Sequence, residues 1–267
     1  ILQAYGYQHI LTLDALEKLQ LLLSRSSPMA SMIPMTGGPA NTGTKTNYTY
    51  LRKALRLIVD EVNGFATVGM GPLAPPVPND QVDRMIAETN HLAHSFAKRD
   101  LPIAVFLDSH VPGKPEPPYP PHCEIGTGQE NLVPVLEWLH NYSKATLIRK
   151  DCINGFVGSI DATTGRNQIV DWVNDYGIVA VLTVGICTDI CVMDFVLTML
   201  SARNHGLMPT LTEIVVYEPG CATYDLPREV ALSIDLPETA SHPQALTHYL
   251  GLYFMSSRGA VLASEVR

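Results

Sequence analysis

A chain of 267 residues, 46% hydrophobic and 16% charged, is long enough to bury a core of ordinary density without disulfides or a structural metal. Its formal net charge of -8, with no Lys/Arg cluster beyond a local pair or triplet, excludes the phosphate-neutralising surface that nucleic acids require. No run approaches about 20 uninterrupted apolar residues, which argues against a membrane-spanning helix and leaves a small molecule as the expected partner.

The first 50 residues read differently from the rest. The stretch "LTLDALEKLQLLLS" places apolar residues at helical spacing, and "SSPMASMIPMTGGPANTGTKTNYTY" is rich in Ser, Thr, Gly, Pro and Met without a period. An N-terminal helix and linker over 1–50 therefore precede a catalytic-size domain over 51–267. The Leu-rich helix at residues 11–23 offers an apolar face for a homo-oligomer interface.

From Leu55 onward short apolar strands alternate with amphipathic helices. "LRLIVD" is a buried strand. "NDQVDRMIAETNHLAHSFAKRD" opens on a capping Asn79 or Asp80 and carries Val82, Ile86, Leu92 and Phe96 along one side. The alternation continues through "LPIAVFLD", a helix over "ENLVPVLEWLH", "KATLIRK", a helix near "GRNQIVDWVNDYG", "IVAVLTVG" and a helix from about Thr188 to Asn204. It ends with "LTEIVVYEPG", helices near Pro227–Ser233 and Pro243–Met255, and a last strand in "GAVLAS". Six strands alternating with helices predict right-handed crossovers and an α/β fold: a doubly wound, six-stranded, mainly parallel sheet with helices on both faces.

Such sheets place their sites at the carboxyl ends of the strands. Asp60 ends the first apolar run, Asp108 with Ser109 and His110 the second, Lys150 the third, and the Gly185–Cys191 turn follows the fourth. A cysteine in a first helical turn feels the positive end of the helix dipole, and a lysine nearby adds to it, so a Cys191 thiolate is the expectation. A carboxylate across the crevice can take the thiol proton and deliver it to a leaving amine. Asp60, Lys150 and Cys191 thus form a candidate triad without histidine.

Plainer readings compete. A buried cysteine is more often packing than nucleophile, Asp60 can cap a turn, and Lys150 can be a solvated end residue beside Arg149. A Cys187–Cys191 disulfide would bridge consecutive turns and constrain little, and a metal clasp there lacks a second ligand pair. In "DSHVPGKPEPPYPPHC", Asp108 and His110 face the same way in an extended segment and His122 follows a proline-braced loop. This is a ligand set for an open zinc or iron site, although spacing alone favours hydrogen-bonded loop residues. His242 and His248 read as cap and packing residues. Five cysteines, an odd number without secreted-domain spacing, point to a reducing compartment, and the cytoplasm is the expected location, with a removed targeting segment left open by the start at Ile1.

With these residues in hand, the chain resembles the isochorismatase-like cysteine hydrolases and, among them, the nicotinamidases, especially the plant type. The likeness runs in order through "LIVDEVNGF", "FLDSH", "YPPHCEIGT", "RKDCINGFVGS", "VGICTDICV" and "GCATYD". It implies Cys191 as nucleophile, Asp60 as base and Lys150 as the residue that lowers the thiol pKa. It implies a cis peptide between Ile186 and Cys187 and an oxyanion hole from the backbone N–H groups of Cys187 and Cys191. By the same resemblance Asp108, His110 and His122 hold a divalent metal, zinc in some relatives and iron or manganese in others, and Phe65, Tyr119 and Ile186 contact the substrate ring. The implied reaction is hydrolysis of nicotinamide to nicotinate and ammonia. Isochorismate, ureido or carbamoyl substrates, or a non-catalytic binding role, are the alternatives. Two positions depart from the family pattern: Val62 stands where a Gln is usual, and no histidine lies between His110 and His122, which implies three protein ligands to the metal.

Overall fold

A computed structural model describes residues 54–114 and 116–266. The extension expected over 1–50 and the helix at residues 11–23 lie outside the described residues. The sheet is built from β1 (Ala54–Val59), β2 (Ile103–Asp108), β3 (Ala145–Lys150), β4 (Ala180–Ile186), β5 (Glu213–Ala222) and β6 (Val261–Ala263). Every pairing is parallel, in the order β3-β2-β1-β4-β5-β6. The chain therefore works outward from β1 to β3, crosses back to β4, and works outward again. That reversal between β1 and β4 is where an open α/β sheet leaves a crevice.

The helices among the described residues are α1 (Asn63–Ala66), α2 (Asp80–Lys98), α3 (Gly155–Gly158), α4 (Gln168–Asp175), α5 (Met193–Asn204), α6 (Arg228–Ser233) and α7 (Gln244–Ser257). Three start on the same device. The side-chain oxygens of Asn79, Asn154 and Asn167 each accept from the N–H groups two and three residues on, at 2.9–3.1 Å. Each such cap contributes about 1 kcal/mol. The segment Pro134–Asn141, expected as a helix, is a 3-10 helix that opens on proline. None of the helices is long and apolar enough to cross a membrane.

Strand alternation divides the core into two layers. Leu57, Val59, Ala104, Phe106 and Ile148 pack with Phe156, Trp172, Phe195 and Met199 on one face. Ile58, Ile103, Val105 and Leu107 pack with Val82, Met85, Leu92 and Phe96 of α2 on the other. Each of these large side chains, taken from water, contributes roughly 1.5–3 kcal/mol. Met85 rather than Ile86 occupies the fully buried place on α2, and Ile86 sits half-buried beside it. Helices therefore cover both faces of the sheet, as the α/β reading expects.

Two charged residues interrupt the apolar layers. Arg56 and Glu61 are both 0% exposed. Burial pushes the Glu61 carboxyl up to about 8, opposed by the Thr89 hydroxyl, which donates to it at 2.5 Å, and by Arg56. Burial likewise pulls the Arg56 guanidinium down to about 9, opposed by Glu61 and Tyr217.

Candidate active site

Four neighbouring strands deliver the site. Read across β3-β2-β1-β4, their carboxyl ends carry Lys150, Asp108, Asp60 and the Gly185–Cys187 turn. Lys150 and Asp108 are direct register partners. Asp60 follows β1 with a backbone φ of 53°, in the left-handed region that a non-glycine residue adopts only where its surroundings enforce it. Its N–H donates to the Phe106 carbonyl at 3.2 Å, which anchors the turn to β2.

Gly185 makes the approach of β4 to β1 possible. Its φ is 130°, and a Cβ at this position would lie 2.0 Å from the Val59 carbonyl oxygen. Only glycine fits. The peptide between Ile186 and Cys187 is cis, and Thr188–Val192 then forms a single π turn leading into α5. The Cys187 carbonyl accepts from the N–H groups of Ile190 and Val192 at 3.0 and 3.1 Å, which folds the turn so that Cys191 stands over the strand ends.

Lys150 Nζ lies 2.8 Å from Asp60 Oδ2 and 2.8 Å from Asp108 Oδ1, and donates to the Cys152 carbonyl at 3.0 Å. Burial would strip the ammonium of its proton, but the charges of Asp60, Cys191 and Asp108 hold its pKa well above the ordinary lysine value. Asp60 is pushed up to about 6 by burial, against the charge of Lys150. It remains a carboxylate at neutral pH.

The expected resting thiolate is corrected here. Burial pushes the Cys191 thiol well above its ordinary pKa, and the neighbouring Lys150 only partly opposes this. Cys191 is 7% exposed, and so little water reaches the sulfur that desolvation of the anion outweighs the lysine. Burial therefore favours the thiol over the thiolate as the resting form.

Beside this triad lies a second cluster. His110 Nε2 is 3.0 Å from Asp108 Oδ2 and 3.5 Å from Glu116 Oε2, and His122 Nε2 is 3.3 Å and 3.5 Å from the same two oxygens. One ligand atom from each of the four residues lies within 4.8 Å of the others. Ligands held at about 2.1 Å from one ion stand about 3.0–3.4 Å apart at octahedral or tetrahedral angles, so these separations fit a single bound cation. His122 Nδ1 is 2.8 Å from the Pro120 carbonyl, which fixes the tautomer and leaves Nε2 for a metal. The surroundings favour positive charge at this point. Burial lowers the His122 pKa, but hydrogen bonds to Asp108 and Glu116 push it up to about 10. Burial raises Asp108, yet Lys150 and both histidines hold it well below the usual carboxylate range.

Glu116 is the residue that the sequence reading missed. It lies in "VPGKPEPPYPP", where the resemblance implied no ligand because no histidine is there. The signal was a lone carboxylate six residues after His110 in a segment pinned by proline, including a cis bond at Pro117–Pro118. The cluster that could hold a cation thus comprises four residues, the three expected ones and Glu116.

The remaining expected residues divide. Phe65, from α1, and Tyr119 flank His122, with ring centroids at 5.5 and 6.1 Å. Both are half-buried and border the space above the cluster. Ile186 is 1% exposed and packs into the α2-side core, so its side chain is a poor candidate for contact with substrate and its part in the site is its backbone.

Comparison with known proteins agrees with this geometry. The family model described as "Isochorismatase domain" matches residues 54–236. Nicotinamidase 1 of Arabidopsis thaliana is 52% identical over 210 residues, covering 79% of this chain and 85% of that protein. Among solved structures, nicotinamidase PncA from Bacillus subtilis superposes with a TM-score of 0.58 at 21% identity, covering 79% of this chain and 100% of the other. The pyrazinamidase of Pyrococcus horikoshii in complex with zinc superposes at 0.54 with 19% identity, covering 80% and 99%. The chain belongs to the isochorismatase family.

Proposed function

We propose that the protein is a nicotinamidase, an amidase that hydrolyses nicotinamide to nicotinate and ammonia through a thioester on Cys191, and that it serves NAD salvage. The observation that carries this reading is the placement of a buried thiol, carboxylate and ammonium at the carboxyl ends of β4, β1 and β3 beside a two-histidine, two-carboxylate cluster. The 52% identity to a plant nicotinamidase supports it.

In this mechanism Asp60 accepts the Cys191 proton as Sγ adds to the carboxamide carbon. The developing oxyanion rests on the backbone N–H groups of Cys187 and Cys191. Asp60 then returns the proton to the departing nitrogen, ammonia leaves, and the thioester remains. Water attacks the thioester with Asp60 again taking a proton, and nicotinate departs as Cys191 recovers its thiol. Lys150 stays protonated throughout and stabilises the transient thiolate.

Asp108, His110, Glu116 and His122 would hold a divalent cation, zinc being our choice from the ligand types and from the zinc-bound neighbour. When bound, the ion would supply a Lewis acid for an electron-rich atom of the substrate, beside the Phe65 and Tyr119 rings that flank His122. We place the enzyme in the cytoplasm as a homo-oligomer, on its five free cysteines and the expected apolar N-terminal helix.

The test is ammonia release from nicotinamide by purified protein, with Cys191→Ala and a chelator-treated sample in parallel. Loss of release in both is the expected result. Release by Cys191→Ala at the wild-type rate would overturn the mechanism, and an inactive wild type would overturn the substrate.

A further inference from the structure

Between the two cysteines of the nucleophile turn sits Asp189, and both of its carboxylate oxygens are engaged. Oδ1 accepts from Thr223 Oγ1 at 2.6 Å, and Oδ2 lies 2.8 Å from His242 Nε2. The other ring nitrogen, Nδ1, lies 2.9 Å from the Tyr224 carbonyl. With acceptors facing both nitrogens, the imidazole is held in one orientation. Burial raises the Asp189 carboxyl, but the His242 hydrogen bond and charge and the Thr223 hydroxyl hold it below its ordinary value. Asp189 is therefore an anionic post inside the turn.

His242 is itself fixed from two sides. Its main chain pairs with Leu226, each N–H donating to the other's carbonyl at 2.9 and 2.8 Å. Its ring stacks on Tyr224, with centroids 3.8 Å apart and an interplanar angle of 12°. Tyr224 stands two residues past Ala222, which is the register partner of Ile186. Tyr224 thus follows the sheet beside the strand end that carries the cis peptide. Gln244 tightens the same corner, donating to the Thr223 carbonyl at 2.6 Å. Tyr224 is half-buried, and burial, followed by the nearby Cys187 and Tyr119, raises its phenol.

We infer that His242 is a positioning residue for the nucleophile turn, acting through Asp189, and that the Tyr224 ring it braces is a third aromatic wall selecting a planar ring substrate. The inference rests on the nicotinamidase reading for its substrate and on the geometry alone for the placement of Cys191. One side chain then links two tasks: the aim of the sulfur and the width of the slot for the ring. Neither residue touches the reacting atoms, so the expected signature is a split between kinetic constants rather than uniform loss.

The experiment compares full-length wild type with His242→Ala, His242→Gln and Tyr224→Ala. It follows nicotinamide and acetamide hydrolysis and, separately, peptide-level iodoacetamide labelling of Cys191. His242→Ala should lower kcat about 10- to 100-fold, the scale on which a misplaced reacting group loses rate. His242→Gln, which keeps a donor to Asp189 but no ring for Tyr224, should recover kcat while KM for nicotinamide stays raised. Tyr224→Ala should lower the nicotinamide-to-acetamide ratio of kcat/KM about tenfold, as one lost aromatic contact does. The rate of Cys191 labelling should change in His242→Ala by at least about threefold and return in His242→Gln, because labelling follows thiolate character and access. Equal losses for both amides in every variant, or unchanged labelling in a folded His242→Ala protein, would overturn the inference. An inactive wild type would sink the nicotinamidase reading alone, and the labelling rates would still decide the role of His242.

Discussion

Asp108 and Lys150 meet at 2.8 Å, and this one contact joins the cation cluster to the triad. Asp108 gives Oδ1 to the ammonium and Oδ2 to the two imidazoles, so a single carboxylate serves both halves of the site. Asp108→Asn should therefore lose more than a metal ligand. Even when resaturated with zinc, it should turn over at least about tenfold slower than wild type, because Lys150 loses one of its two counter-charges in a dry site. Metal content and kcat measured on the same sample check this.

Glu116 should behave as a ligand rather than a loop residue. Glu116→Ala should weaken zinc binding by about 10- to 100-fold or more, the range seen when groups supporting a metal site are removed, and Glu116→His should retain binding. Metal content after dialysis against a graded chelator is the measurement. Affinity should also fall as pH falls, since protons compete for His122, whose pKa the two carboxylates push up to about 10 against burial.

Activity should fall on the acid side as Asp60, raised to about 6 chiefly by burial, takes up a proton and ceases to be a base. The sign follows from its role: the carboxylate form is active, so kcat/KM is lost as pH drops through that value. In Lys150→Gln the charge that pulls the Asp60 pKa down is gone, and the acid limb should move to higher pH as well as lower amplitude. A pH–rate profile of both proteins tests the direction of that movement.

Stability has its own pH signature at the buried residues Arg56 and Glu61. Arg56→Met removes a positive charge that lowers the Glu61 pKa, so the variant should be less stable than wild type at pH 8.5, where Glu61 is charged. Glu61 is already raised to about 8 by burial, so the folded state binds more protons than the unfolded one. Stability then falls as pH rises above the unfolded carboxylate pKa and continues to fall up to the folded one. At pH 6 the variant should recover part of the loss. Urea midpoints at the two pH values decide it, and an equal deficit at both would contradict the account.

Much of this architecture was legible in the residues. All six strands and the long helix from Asp80 to Lys98 follow from apolar periodicity and an Asn cap, because buried parallel strands and amphipathic helices leave strong local patterns. Asp60, Lys150 and Cys191 were legible because strand ends in this topology converge. Three things were not. Glu116 sits in an aperiodic proline loop, where no local pattern says which side chain turns inward. His242 looked like a helix cap one residue before Pro243, and its bond to Asp189 spans 53 positions of sequence. The protonation of Cys191 depends on how dry the finished site is, which no neighbour in the sequence encodes.

The sheet itself acts as a ruler. Adjacent parallel strands lie about 4.8 Å apart, so Lys150, Asp108, Asp60 and the cysteine turn are set out at intervals fixed by backbone pairing rather than by loops. The spacing between Asp60, Asp108, Lys150 and the cysteine turn is therefore as stiff as the core beneath it. A one-residue insertion in β1 or β3 would point Asp60 or Lys150 at the opposite layer, and the chemistry would vanish while most of the hydrophobic packing survived.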